Sequence, residues 1–217
     1  MPRMNEQPVT VTAGTVRLHG DLSLPQKARG TVLFAHGSGS GRFSPRNRFV
    51  AQTLQARGFA TLLLDLLEER EADDRRKVFD IDLLADRLLG AATWLRREPA
   101  TADLPIGYFG ASTGAGAALQ AAARMPEAVA AVVSRGGRPD LAAPFLARVT
   151  APTLLIVGGD DKPVIDMNRE ALAQLTCPKK LIIVPGATHL FEEPGTLEQV
   201  AGHAGDWFEG HLSAHNS

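Results

Sequence analysis

Cysteine is almost absent from this sequence, since Cys177 is the only one in 217 residues. A single thiol cannot form an intramolecular disulfide, and a zinc site built from several thiolates is excluded. Cys177 stands beside Pro178, between a predicted helix and a predicted strand, and no base is adjacent in the pattern. We therefore interpret it as a buried or half-buried structural thiol rather than a nucleophile.

An excess of charge of one sign is also lacking. The chain has 23 Lys and Arg residues against 24 Asp and Glu residues, which gives a formal net charge of −1, and no basic stripe stands out. Long-range attraction to nucleic acid or to anionic lipid therefore has no source in the sequence. We expect neither nucleic acid nor a membrane as a partner, and the oligomeric state is left open.

Long apolar runs are missing as well. The longest, FATLLLDLL, is interrupted by Asp65 and is far too short to cross a bilayer. The first residues, MPRMNEQPVTV, lack the apolar core of a secretory signal peptide. We therefore expect a cytoplasmic protein.

The hydrophobic pattern that is present changes once along the chain. The segments PVTVTAG and TVRLHGDLSLP alternate apolar and polar residues, as half-buried antiparallel strands do. From residue 31 onward, continuous apolar runs alternate with helical patterns, which is typical of strands covered on both faces. The sequence therefore predicts an α/β fold in a single domain over residues 1–217. We expect a mostly parallel central sheet, an antiparallel N-terminal hairpin at one edge, and helices on both faces.

Most of the chain outside the strands is assigned to helices. The predicted helices span residues 46–57, 80–97, 113–124, approximately 166–175, and 197–212. Residues 68–79 and 138–150 are the only segments left that could contribute to a lid over the site. That is too little for a large lid, so we expect an open site that takes small, soluble substrates.

A glycine-rich segment, IGYFGASTGAGAALQAAA, allows two interpretations. Gly110, Gly114 and Gly116 fit a G-x-x-x-G-x-G spacing that resembles the nucleotide loop of short-chain dehydrogenases. Such a loop should follow the first strand of its unit, and that family needs a Tyr-x-x-x-Lys pair. Here the loop follows about the third strand of the alternating region, and the only tyrosine, Tyr108, is followed four residues later by Ser112. Nucleotide binding is therefore disfavoured.

The second interpretation makes Ser112 a nucleophile, because Gly110 to Gly114 also reads G-x-S-x-G. Small residues two before and two after the serine allow a sharp turn from a strand into a helix. A serine hydroxyl needs a base, and the base needs an acid to orient it, in the chain order serine, acid, histidine. Two later strands end at Asp160 and Asp161 and at His189, in that order. The alternative is a purely structural role, in which Ser112 only caps the helix, since serine is a favoured N-cap residue.

The motifs FAHGSGSGRFSPRN, GYFGASTGAGAAL, LLIVGGDDKPV and VPGATHLFEEPG span residues 31–195. Together they resemble the α/β-hydrolases, and more narrowly the small, capless, dienelactone-hydrolase-like members. The dienelactone hydrolases proper carry a cysteine nucleophile, whereas this chain has Ser112, so the resemblance does not by itself imply lactone hydrolysis.

The resemblance also implies roles for individual residues. The family's acid is followed by x-Pro-Val, which Asp161 fits and Asp160 does not, so Asp160 is interpreted as a turn former. His36 is implied to brace the glycine-rich loop that follows it, residues 37–41, which is called the glycine loop below. The backbone N–H groups of Ser38 and Thr113 are the oxyanion-hole candidates.

Arg135 follows a buried strand and is expected near Ser112, where its guanidinium could bind a substrate carboxylate. The alternative is that Arg135 pairs with a nearby acid, such as Asp140, and only fixes the loop. His211 and His215 have a metal-like spacing, but no third ligand is evident. We therefore predict neither a metal nor a cofactor.

The resulting hypothesis is a serine hydrolase that cleaves a small carboxylic ester or a related acyl compound. Ser112 forms the acyl-enzyme, His189 is the base, and Asp161 is the orienting acid. The partner is then a small-molecule acyl substrate. The alternative is a catalytically silent protein of the same fold that binds a small ligand or a partner.

Overall fold

The computed structural model describes residues 5–212, and all eight of their strands join in one sheet. The order is β1-β2-β4-β3-β5-β6-β7-β8, so β1 and β8 are the edge strands. The strands are β1 (Asn5–Ala13), β2 (Val16–Leu24), β3 (Thr31–Ala35), β4 (Ala60–Leu64), β5 (Ile106–Ala111), β6 (Ala131–Arg135), β7 (Thr153–Gly158) and β8 (Lys179–Val184).

The N-terminal hairpin is antiparallel, as predicted. β1 pairs with β2, and β2 pairs in the same sense with β4. Every pair from β4 to β8 across the rest of the sheet is parallel. The predicted fold class is therefore confirmed, and the continuous apolar runs have a simple cause, since β3 to β7 are buried along their whole length.

Helices cover both faces of the sheet. The α-helices are α1 (Pro45–Ala56), α2 (Glu69–Ala72), α3 (Arg75–Val78), α4 (Ile81–Leu95), α5 (Thr113–Arg124), α6 (Lys162–Gln174) and α7 (Thr196–His211). Two 3₁₀ segments, Pro126–Ala128 and Pro139–Arg148, complete the described chain, and the second is kinked at Ala142. α1 and α7 pack on one face, while α4, α5 and α6 pack on the other.

The apolar faces predicted for two helices are the faces that are buried. In α4, Leu84, Leu88 and Leu95 belong to the core on one side of the sheet. In α7, Val200 and Phe208 belong to the core on the other side. The sheet therefore lies between two hydrophobic cores, one on each face.

No helix within residues 5–212 is long and apolar enough to cross a bilayer. A single domain over residues 1–217 stays a prediction, because both ends of that range lie outside the described residues.

Candidate active site

Ser112 lies at the junction between β5 and α5 in a backbone conformation that residues other than glycine rarely adopt. Its φ is 51° and its ψ is −121°. Neighbouring backbone holds it there, since the Ser112 N–H donates to Arg135 O at 3.2 Å and Arg138 N–H donates to Ser112 O at 3.0 Å. Ser112 occupies the N-cap position of α5, yet its side chain makes no capping hydrogen bond. The hydroxyl is therefore not used as a helix cap, and strain of this kind is concentrated at functional sites.

The two glycines of the elbow are needed for space. A Cβ at Gly110 would collide with the backbone of Ala115, and a Cβ at Gly114 would collide with the carbonyl oxygens of Ala35 and His36. The first turn of α5 consequently packs directly against the ends of β3 and β5. This close packing is the physical reason for the G-x-S-x-G spacing.

Asp161 and His189 meet although they lie 28 residues apart. His189 Nδ1 is 2.6 Å from Asp161 Oδ2, and the side chains are 40% and 13% exposed, respectively. Asp161 is the N-cap residue of α6, but its carboxylate makes no capping hydrogen bond. Asp160 is exposed and contributes its backbone N–H to Ala187 O at 3.0 Å. Of the two candidate acids, only Asp161 contacts the imidazole.

The loop between β8 and α7, residues 185–195, carries His189 and is called the histidine loop here. It packs against the end of β6, the strand beside β5. A Cβ placed on Gly136 would lie 3.5 Å from Cε1 and Nδ1 of His189, so the ring packs on this glycine. Gly136 directly follows Arg135, whose carbonyl accepts the Ser112 N–H. Phe191, two residues beyond His189, is 2% exposed and anchors the loop in the core. The hydrogen bonds among the described residues do not join Ser112 Oγ to His189 Nε2, a bond that often tightens only when substrate is bound.

The two predicted oxyanion donors lie next to each other, but one of them is engaged. Ser38 N–H donates to Thr113 Oγ1 at 2.9 Å. Thr113 is the first residue of α5, so its own N–H lies at the helix terminus, where intrahelical acceptors are missing. A Cβ at Gly37, just before Ser38, would lie 3.7 Å from Ser112 Oγ, which places this loop against the serine.

His36 holds the ends of two strands together. Its Nε2 accepts a hydrogen bond from Leu66 N–H at 3.0 Å, and its Nδ1 lies 2.9 Å from Gly37 O. The pair is satisfied by a neutral ring with the proton on Nδ1. Burial of the ring lowers the pKa of His36 below 6.5, against smaller opposing effects of Gly37 O and Asp65. The bracing role implied by the resemblance agrees with these contacts.

We expect this brace to make stability depend on pH. Because the folded-state pKa of His36 lies below its unfolded value, its contribution is fully present above pH 6.5 and is lost as the pH falls toward the lowered pKa. Urea unfolding at pH 8 and pH 5.5 should therefore show a larger loss of stability for the wild type than for His36→Gln, which cannot titrate. Equal losses in the two proteins would contradict this assignment.

Asp65 is a second brace for the glycine loop. It accepts the backbone N–H of Arg42 at 2.7 Å and forms an ion pair with the Arg42 guanidinium. Asp65 therefore restrains the loop that carries Ser38.

Arg135 is buried, only 7% exposed, at the end of β6. Asp140 is not its partner, because that carboxylate binds Arg138 at 2.9 and 2.7 Å, so the alternative pairing was wrong. Arg135 reaches Asn47 Oδ1 at 3.4 Å, while its Nε is buried without a partner. Among residues 5–212, no carboxylate forms an ion pair with it. Burial, with a smaller effect of Arg46, lowers the pKa of Arg135 to about 10.

A cavity of about 550 Å³ opens beside the serine elbow. Gly37, Ser38 and Thr113 contribute to one wall. The segment between β4 and α4 contributes Leu67, Glu69, Ala72 and Val78 to the lining, and α4 contributes Leu84. A buried ion pair between Glu71 and Arg87 at 3.1 Å ties that segment to α4. Residues 68–79 thus form short helices that line a site large enough for a small organic molecule.

No group of three His, Cys, Asp or Glu residues in the described part of the chain could hold a metal ion. His211 lies at the end of α7, and His215 lies outside the described residues. Cys177 is buried, as predicted, with Sγ 3.7 Å from Thr153 Oγ1.

Three contacts at this site have no counterpart in the sequence interpretation. They are Thr113 Oγ1 with Ser38 N–H, Arg135 with Asn47, and Arg46 with Glu192 at 3.2 Å. Arg46 and Asn47 form part of the first turn of α1, immediately after the glycine loop. The available signal was that α1 follows the loop at the carboxyl end of β3, the edge of the sheet where ligands bind in such folds.

Comparison with known proteins identifies relatives over almost the whole chain. The model of the dienelactone hydrolase family matches residues 18–209. Two proteins from Mycobacterium tuberculosis strains, each named "Putative phosphoribosyl transferase", are 59% identical over 211 residues. That match covers 97% of this chain but 48% of those proteins, so the chain spans about half the length of these relatives.

Solved structures agree with the fold. A dienelactone hydrolase from Anabaena variabilis superposes with a TM-score of 0.94 at 59% identity, covering 96% of this chain and 99% of that one. A serine hydrolase without a lid from Xanthomonas campestris superposes with a TM-score of 0.77 at 20% identity, with 94% of each chain covered. The second similarity supports the architecture alone, which is the predicted α/β-hydrolase fold.

Proposed function

The chain belongs to the dienelactone hydrolase family, and we propose that it is a hydrolase that cleaves a small carboxylic ester through an acyl-enzyme on Ser112. One observation carries the proposal. The Asp161 carboxylate lies 2.6 Å from His189 Nδ1, in a loop packed beside a serine held at positive φ. A carboxylate at Nδ1 leaves Nε2 as the nitrogen that can accept a proton.

In the proposed mechanism, Ser112 Oγ attacks the substrate carbonyl carbon while His189 Nε2 takes the hydroxyl proton. Asp161 holds the ring in position and stabilises the imidazolium that forms. Collapse of the tetrahedral intermediate expels the alcohol, which leaves with the proton from His189. Water activated by His189 then attacks the acyl-enzyme, releases the carboxylic acid and restores Ser112. These steps need no cofactor.

The end of β5 also supplies electrostatic stabilisation in this proposal. The Thr113 N–H lies at the positive end of the α5 dipole, where negative charge on the carbonyl oxygen is favoured. A single oxyanion donor contributes about 3 kcal/mol to transition-state stabilisation. The cavity beside Thr113 is placed to receive one side of the ester, and its mixture of apolar and charged walls suits a small, soluble acyl compound.

The proposal is tested by covalent labelling. A fluorophosphonate reacts with activated serines, so we expect it to modify one residue, Ser112, with a stoichiometry of about one. Peptide mass mapping locates the adduct, and Ser40, on the exposed glycine loop, serves as an internal comparison. An adduct on Ser38 or Ser40, or no adduct at all, would refute the assignment of Ser112.

Arg135 is the proposed contact for a carboxylate elsewhere on the substrate. A buried guanidinium without an acid partner is costly, and an anionic ligand would relieve that cost. Asn47 and Arg46, at the N-terminal turn of α1, lie beside it. This part of the proposal concerns selectivity and can fail while the serine chemistry stands.

We expect Arg135→Met to raise the KM for an ester that carries a free carboxylate by roughly tenfold or more, on ~1.5–3 kcal/mol for a charge-assisted hydrogen bond. A neutral ester of equal size should be almost unaffected, because it makes no use of the charge. Steady-state kinetics on the two esters measures the difference. Equal losses on both would mean that Arg135 only maintains the fold of its surroundings.

The longer relatives carry a transferase name. It describes proteins of which the matched region is about half. The alternative of a catalytically silent binding protein accounts less well for the Asp161 carboxylate, which contacts His189 instead of capping α6.

A further inference from the structure

The hydroxyl of Thr113 forms a hydrogen bond with the backbone of the glycine loop at residues 37–41. Its oxygen accepts the Ser38 N–H at 2.9 Å, and the residue is 3% exposed. A threonine hydroxyl both accepts and donates. The hydrogen bonds of residues 5–212 include no acceptor for the Thr113 hydroxyl proton, so that proton is available to a ligand.

The contact lies beside the proposed nucleophile. Thr113 immediately follows Ser112, and Ser38 immediately follows Gly37, where an added Cβ would lie only 3.0 Å from Ser112 Cβ. Gly37, Ser38 and Thr113 all line the cavity beside the elbow. The Ser38 N–H, which was expected to donate to a substrate oxygen, is already used by the Thr113 side chain.

We propose that the Thr113 hydroxyl is a catalytic residue that donates a hydrogen bond to the substrate oxyanion, while Ser38 N–H donates to the same hydroxyl and strengthens it. This inference rests on the proposed function of Ser112. As Ser112 Oγ bonds to the carbonyl carbon, the carbonyl π electrons move onto oxygen, which then accepts the Thr113 N–H and the Thr113 O–H. No proton is transferred to the oxyanion, and both bonds weaken when the C=O double bond re-forms. A donor that itself accepts a hydrogen bond is polarised and donates more strongly.

Two other roles for the contact make different predictions. If the hydroxyl blocks the oxyanion hole, its removal frees Ser38 N–H and raises activity. If the side chain only braces the loop by packing, the methyl group matters as much as the oxygen. Thr113→Val keeps the shape and removes the hydroxyl, whereas Thr113→Ser keeps the hydroxyl and removes the methyl group. Thr113→Ala also lacks the hydroxyl and is the second variant should valine fail to fold.

The experiment makes two measurements on each variant. The first gives kcat and KM for p-nitrophenyl acetate. The second gives the rate of fluorophosphonate labelling at Ser112, which needs no natural substrate. We expect Thr113→Val and Thr113→Ala to lower kcat and the labelling rate by roughly 10²-fold with KM nearly unchanged, as loss of one oxyanion donor does. Thr113→Ser should stay within about threefold of the wild type on the same scale. Thr93→Val, which removes a helix hydroxyl that donates to Leu89 O, is the matched control and should label at the wild-type rate.

Two of the possible results overturn the donor role. Undiminished or faster reaction in Thr113→Val and Thr113→Ala overturns the donor role, and so does an equal loss in Thr113→Ser. If the wild type is not labelled at Ser112, the proposed function itself fails, which is distinguishable from labelling that is indifferent to Thr113.

Discussion

Replacing Ser112 by alanine is expected to lower turnover of a short-chain p-nitrophenyl ester by about 10⁵- to 10⁶-fold, the scale on which removal of a serine nucleophile acts. The loss is large because no other described hydroxyl combines positive φ, a helix N-terminus and a neighbouring histidine–carboxylate pair. Substrate binding should persist, since the cavity walls are unchanged. Steady-state kinetics, with folding checked by circular dichroism, provides the measurement.

Ser134→Ala is the matched control for Ser112→Ala. Ser134 lies on the neighbouring strand β6, and its buried hydroxyl has no hydrogen-bond partner, so its removal should leave turnover near the wild-type value. A wild type without turnover on ester, thioester and lactone panels would favour the silent binding protein. Turnover that survives in Ser112→Ala would mean that the reaction does not pass through this serine.

The second large effect separates the two adjacent aspartates. Asp161→Asn should lower turnover by ~10⁴-fold, because an amide in place of the carboxylate favours the wrong imidazole tautomer and does not stabilise the imidazolium. Asp160→Asn should change turnover little, since the Asp160 contact with the histidine loop is made by its backbone N–H. The same assay on both variants compares them directly.

Thermal unfolding completes the comparison of the aspartate variants. If Asp161→Asn lost activity only through unfolding, its melting temperature would fall along with turnover. A severe loss in Asp160→Asn together with a mild one in Asp161→Asn would assign the acid to the neighbouring position.

Elements with a strong periodic signal were predictable, and short ones were not. α5 begins and ends where the alanine-rich pattern predicted, at Thr113 and Arg124. α6 begins at Lys162, four residues before the predicted start. Pro163 in its first turn was a start signal, but Asp161 had been interpreted only as a loop acid. α2 and α3 are four residues each, too short for a 3.6-residue period to be detected.

The site divides in the same way. The positions of Ser112, Asp161 and His189 follow from strand ends and chain order, which sequence patterns express. The Thr113–Ser38 contact depends on a side-chain rotamer and joins residues 75 positions apart. Arg135 forms no ion pair with Asp140 because Arg138 binds that carboxylate instead. The first contact has no local spacing to reveal it, and in the second case Asp140 lies close in sequence to both arginines, so spacing alone does not choose between them.

The two outer strands of the sheet bear on how copies of this chain can meet. An exposed strand edge is a template for adding a strand from another molecule, and proline or lysine at the edge opposes that addition. β1 carries exposed Glu6 and Pro8, and β8 begins with exposed Lys179 and Lys180. Proline offers no N–H to an incoming strand, and the lysines would repel their counterparts in an antiparallel edge-to-edge dimer. Both margins are thus protected against sheet extension, so concentrated solutions should resist aggregation by this route.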